Sequence, residues 1–132
     1  MFYIGGEPET DRPRYYQDLT NSGRSSLRLI IESANLTGKH ILLPDFLCQI
    51  IIDVLEEYEI TYDLYSINYD LEFELPDDIS IYDALYLIKY FGSKTSSFIN
   101  ACQLFEQCLI IDDVFSPFPE VLTRNEPWFS YN

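Results

Sequence analysis

The sequence predicts an α/β domain of three layers, a mostly parallel sheet with helices on both faces. Two observations predict it. Short, continuous apolar runs (HILL, ALYLIKYF, CLII) are bounded by Gly, Pro or acidic residues, as expected of strands covered on both faces. Between them lie segments whose apolar residues fall at helical spacing. Strands alternating with helices are joined by right-handed crossovers.

Taken in order, Met1–Asn21 reads as irregular, because Gly5, Gly6, Pro8 and Pro13 interrupt any regular element. A helix follows. Leu27, Ile30, Ile31 and Ala34 form one face, and Gly38 is placed to end it. His40–Leu43 is a short strand stopped by Pro44. Leu47, Ile50, Ile51, Val54 and Leu55 share a second helical face, with Glu56, Glu57 and Glu59 toward water. Ile60–Ile67, rich in β-branched and aromatic residues, is the next strand. The acidic stretch 68–83 contains Pro76 and reads as loop, with no role assigned. Ala84–Phe91 is a buried strand ended by Gly92, Phe98–Gln107 a helix, and Cys108–Ile111 a buried strand running into Asp112 and Asp113. The stretch 117–132 holds Pro117, Pro119 and Pro127 and reads as an irregular tail. The whole of 1–132 is one domain.

The composition narrows the function. The chain of 132 residues is 47% hydrophobic and 16% aromatic, enough for a real core. A net charge of −14 speaks against nucleic acid or an anionic membrane as a partner, since phosphate binding needs Lys and Arg. No apolar run nears the roughly 18 residues of a membrane span. Met1–Gly6 lacks a signal-peptide pattern, so the expectation is a cytoplasmic protein. Cys48, Cys102 and Cys108 read as reduced core thiols.

Three places offer chemistry. In Asn21–Ile31 (NSGRSSLRLII) a helix starts on small, hydrogen-bonding residues. Either Ser22 caps an ordinary helix, or Gly23, Ser25 and Ser26 form a cradle in which exposed amides and the helix dipole receive a phosphate. Asp112-Asp113 ends a buried strand, where α/β sheets bind ligands. One carboxylate holds a metal or a protonated ring nitrogen there, or Asp113 caps the following turn. Pro44–Cys48 either walls the same crevice or is a turn with Asp45 as helix N-cap. His40 is the single histidine, so a histidine-based triad or multi-histidine zinc site is not expected. Lys89, inside a buried strand, is a functional cation or snorkels outward.

The order of motifs is more specific than any one of them. The series IGGE, SGRSSLRLII, ILLPDFLCQIII, LIKYFG and LIIDD resembles the N-terminal half of the DegT-type sugar aminotransferases, which use pyridoxal phosphate. The resemblance runs from about Ile4 to Tyr131. It implies that Gly23, Arg24 and Ser25 bind the cofactor phosphate. It implies that Asp113 pairs with the pyridinium nitrogen, keeping the ring an electron sink. Ser116 falls where relatives place His or Gln near the phenolic oxygen, and Cys48 where they place a stacking aromatic. The family lysine that forms the Schiff base follows a Phe-Ser-aromatic stretch by a few residues. Phe129-Ser130-Tyr131 matches that stretch, and the sequence ends at Asn132. None of Lys39, Lys89 or Lys94 matches the lysine. The resemblance therefore implies a partial transferase domain, inactive alone, in which pyridoxal phosphate binds weakly or not at all. A role in polysaccharide biosynthesis, a dimer or other homo-oligomer, and a polypeptide completing the domain belong to the same expectation. A non-catalytic binding or assembly module on this scaffold is the alternative. A receiver-like phosphotransfer domain is disfavoured, because its acidic pair follows the first strand.

Overall fold

The computed structural model describes residues 2–3, 22–116 and 122–131. A six-stranded sheet runs through it, with strands β1 (Phe2–Tyr3), β2 (His40–Pro44), β3 (Thr61–Tyr65), β4 (Ala84–Ile88), β5 (Cys108–Asp112) and β6 (Trp128–Tyr131). Their order is β1-β6-β5-β4-β2-β3, and every pairing is parallel. The predicted α/β class and three-layer arrangement are what is found.

Helices α1 (Gly23–Ser33) and α2 (Gln49–Glu57) cover one face. Leu27, Ile30, Ile31, Val54 and Leu55 pack there on Ile41, Leu43, Tyr86, Ile110 and Tyr131. Helix α3 (Ser96–Leu104) covers the other face, where Phe98 and Ala101 meet Leu42, Leu85, Leu87, Leu109 and Ile111. Alternate residues of each strand therefore feed two separate cores. This is why the central runs read as unbroken apolar sequence.

Several expectations change. The 1–21 segment contributes β1, paired with β6; the rest of it, with all of IGGE, lies outside the described residues. Part of the expected irregular tail is β6, inserted between β1 and β5. Four residues after a proline carry little periodicity of their own, and two neighbouring strands supply the missing order. Gly38 does not end α1. Ala34 caps it, and Asn35 turns the chain with a left-handed φ of 54°, which Asn tolerates. Gly38 instead donates to the Tyr58 carbonyl on entering β2. Strand β4 stops at Ile88, not Phe91. Tyr90–Gly92 forms a 3-10 turn, with Phe91 at φ 53° and Gly92 at φ 73°. An apolar run does not show where a strand gives way to a turn.

Asp45 is not the cap of α2. Cys48 holds that position with no side-chain bond, while Asp45 Oδ1 accepts from Ile67 N–H. The acidic stretch 68–83 does acquire a role. Its Phe73 and Tyr82 are buried in the α3-side core. Its Glu72 carboxylate accepts the amides of Ser96 and Ser97 at the start of α3. Those bonds, led by the Ser97 hydroxyl, hold the Glu72 carboxyl below its usual range. Ordering a helix N-terminus this way satisfies donors that have no partner inside the helix. The cysteines also divide. Cys108 is buried, its thiol pushed up to about 12 by burial, whereas Cys48 is exposed and Cys102 half-buried; none of the three is in a disulfide. Among the described residues no helix is long and apolar enough to cross a membrane.

Candidate functional site

A cavity of about 320 Å³ opens on the α1/α2 face at the carboxyl end of the sheet. Four separate parts of the chain build it. Ser22, Gly23, Arg24 and Leu27 come from the start of α1, Cys48 and Ile51 from the start of α2, and Asp112, Val114 and Tyr131 from the ends of β5 and β6.

The start of α1 is fixed locally. Ser22 Oγ accepts the Ser25 amide at 3.2 Å, and the Ser22 carbonyl takes the first helical bond from Ser26 at 3.0 Å. The capping reading of Ser22 is therefore correct. It leaves the amides of Gly23 and Arg24 as the remaining donors of the first turn, beside the positive end of the dipole. A Cβ at Gly23 would meet Tyr131 Cε2 at 3.6 Å, an ordinary contact, so this position does not demand glycine.

The floor of the cavity is polar. Tyr86 Oη donates to Asp112 Oδ2 at 3.1 Å, and Tyr131 Oη reaches the same oxygen at 3.3 Å. The two phenols also bond each other, and Val114 N–H donates to Asp112 Oδ1. Asp112, not Asp113, thus caps the turn after β5. Burial raises the Asp112 carboxyl above its ordinary value, against the lowering effect of the Val114 amide and the phenols. Burial likewise raises both tyrosines well above theirs.

Asp113 points through the sheet to the other face. It is fully buried, with Lys89 Nζ 3.1 Å from its Oδ1. Lys89 is buried too, so it does not snorkel outward. Ser116 lies at the next turn, its amide donating to the Asp113 carbonyl and its Oγ close to Gly92. Of the six residues singled out from sequence, the structure brings Gly23, Arg24 and Cys48 into the cavity. Ser25 stands just behind them in the cap, and Asp113 and Ser116 lie outside the lining. Asp112, Tyr86 and Tyr131 were not singled out as a group. The signal available for Asp112 was the strand pleat, which sends adjacent residues to opposite faces.

His40 makes a chain that sequence reasoning set aside. Its Nδ1 lies 2.6 Å from Thr61 Oγ1 and its Nε2 2.9 Å from Asp63 Oδ2. A hydroxyl–imidazole–carboxylate row therefore exists, at the amino end of the sheet. His40 also stacks on Tyr82 at 5.0 Å between ring centres. It reads as a cross-strand ladder tying β2 to β3.

No family model matches the sequence, and no curated protein matches it. Solved structures do resemble the fold. Alanine aminotransferase from Pyrococcus furiosus superposes with a TM-score of 0.56 at 14% identity, over 80% of this chain and 30% of that one. Tyrosine aminotransferase from Leishmania infantum gives a TM-score of 0.48 at 22% identity, over 65% of this chain and 28% of that one. The chain thus has an aminotransferase-like α/β fold and spans less than a third of the length of these two proteins.

Proposed function

We propose that this chain is the N-terminal part of a pyridoxal-phosphate-dependent aminotransferase-like protein of the sugar type, and that it does not carry out transamination by itself. One observation carries the reading: the starts of α1 and α2 and the end of β5 converge on one cavity. The residues present fit the cofactor's two ends. Gly23 and Arg24 offer amides and a guanidinium to an anionic group at the mouth. Leu27, Ile51 and Val54 supply apolar walls, and Asp112 supplies a buried carboxyl at the floor. When bound, pyridoxal phosphate would supply an electron sink for a carbanion. Ser22 and Ser25 hold the helix start in place, and Tyr86 and Tyr131 orient the carboxyl. The resemblance pointed to Asp113 for the ring nitrogen; the geometry favours Asp112, which lines the cavity. The sugar type rests on the order of the sequence motifs.

The lack of catalysis rests on the lysines. Lys39 precedes β2 at the far end of the sheet, Lys89 faces Asp113, and Lys94 lines a different hollow beside α3. None of the chain's three lysines lines the cavity. No lysine side chain among the described residues is therefore placed to link the cofactor covalently.

Titration of the protein with pyridoxal phosphate, followed by borohydride reduction and mass spectrometry, tests both parts. The expected result is weak, saturable binding that pyridoxal without phosphate does not compete away, and no stoichiometric adduct at one lysine. Absence of saturable binding overturns the cofactor reading. A stoichiometric, site-specific pyridoxyl-lysine overturns the loss of catalysis.

A second reading, an assembly module on the same scaffold, is favoured by the exposure of Val114, Phe115 and Phe91 beside the site. Its partner would be a second copy or a polypeptide that completes the domain. Light scattering separates the readings, because a clean monomer removes self-assembly.

A further inference from the structure

A groove of about 1110 Å³, distinct from the cavity above, lies over the carboxyl ends of β2 and β3. Asp45, Phe46, Asn68, Tyr69, Asp70 and Phe91 define its chemistry, and none of its lining residues is basic. Three aromatic rings are turned outward there. Phe46 is 57% exposed and Phe91 70%, and Tyr69 is fully exposed.

The Phe46 and Phe91 rings are held rather than loose. Phe46 stacks on Tyr90 at 5.2 Å with an interplanar angle of 11°, and Tyr90 donates its hydroxyl to the Phe46 carbonyl. Phe91 sits in left-handed backbone at φ 53°, a conformation unusual for an aromatic residue, and rests against Phe115 at 5.2 Å. The two carboxylates are fixed too. Asp45 Oδ1 accepts Ile67 N–H and Asp70 Oδ1 accepts Glu72 N–H. Each keeps its second oxygen without a hydrogen bond among the described residues.

Aromatic faces beside carboxylates, without a competing cation, are complementary to a positive charge carried on an apolar stem. The ring faces attract the cation and the carboxylates pair with it. A chain of net charge −14 also favours the approach of a basic partner and repels an acidic one. An open groove of this size suits an extended segment more than a single small amine.

We propose that this groove docks an arginine-bearing segment of a partner protein, the guanidinium lying between the Phe46 and Phe91 rings and the Asp45 and Asp70 carboxylates. This does not rest on the cofactor reading, because the two hollows share no lining residue. The test is fluorescence anisotropy of the full chain with a short labelled peptide carrying one arginine between leucines. The same peptide with citrulline is the neutral control. The expected result is a loss of about tenfold on going to citrulline, and a similar loss in D45N/D70N. Asparagine keeps the acceptors for Ile67 and Glu72, so the fold is retained. A variant with the same charge change elsewhere, E56Q/E106Q, keeps its affinity, and F46L/F91L weakens binding by several-fold. Four results would overturn the proposal. One is no binding by the wild type. The second is equal losses in both charge-neutralised variants, which assigns the effect to overall charge. The third is equal affinity for the citrulline peptide, which assigns it to apolar burial. The fourth is displacement by free arginine amide at the peptide's own concentration, which makes the groove a small-cation site.

Discussion

Asp112 and Asp113 are neighbours in sequence with identical side chains, yet they live in opposite chemistries. Asp112 faces the α1/α2 side, lines the cavity and holds two phenols and one amide. Asp113 faces the α3 side, is fully buried and pairs with Lys89. One step along a pleated strand separates a titratable group at a cavity floor from an internal counter-ion. A carboxylate at the end of a strand is therefore not enough to identify a ligand partner; the face it points to decides.

The largest effect comes from breaking the Asp113 side. Asp113→Ala removes the carboxylate beside the buried Lys89 ammonium and should cost about 3–5 kcal/mol. Urea unfolding measures it. The double change K89M/D113L should recover most of that loss, because an apolar pair of similar volume needs no desolvation of charge. If the double variant is as unstable as the single one, the pair is not what stabilises this region.

On the Asp112 side the expected effect is smaller. Tyr86→Phe removes one corner of the phenol–carboxyl triangle and should cost about 1–3 kcal/mol. The pH dependence carries the sharper signature. The folded Asp112 carboxyl is raised above its unfolded value, so the folded state binds its proton more tightly. Stability from this group is present below the ordinary carboxylate range of about 3.9 and is lost as pH rises through the raised folded value. D112N should flatten that part of the stability–pH curve. A curve left unchanged by D112N would mean that this carboxyl does not carry the pH dependence. Should pyridoxal phosphate bind, D112N should also weaken it more than D113N, and the reverse order would restore the neighbour to the site.

The smallest expected change lies at the mouth. Ser22→Ala removes the cap on Ser25 and should cost about 1 kcal/mol, read by thermal unfolding. A change within a few tenths would mean that water replaces the cap without loss.

Much of this was legible beforehand. The runs HILL, ALYLIKYF and CLII read as strands because each is short and nearly continuously apolar, although the second extends three residues past the end of β4. The faces carrying Leu27, Ile30 and Ile31, and Ile51, Val54 and Leu55, had to be helical. The helix start at Ser22 was legible as a cap. What escaped was non-local. Trp128–Tyr131 becomes a strand because β1 and β5 flank it, and nothing within four residues announces that. Asp45 serves Ile67 rather than the nearby helix because β3 returns beside β2. Lys89 turns inward because Asp113, from the next strand over, meets it.

By itself the sequence determined the element types, the parallel α/β class and a strongly acidic surface. These depend on local periodicity, on β-branched content and on charge, which are properties of short windows. Only the tertiary structure decided which carboxylate faces the cavity, which lysine is neutralised, and which aromatic rings stand exposed around a groove. Those outcomes depend on strand register and on side chains brought together from distant positions, and neither is encoded in any single window of the chain.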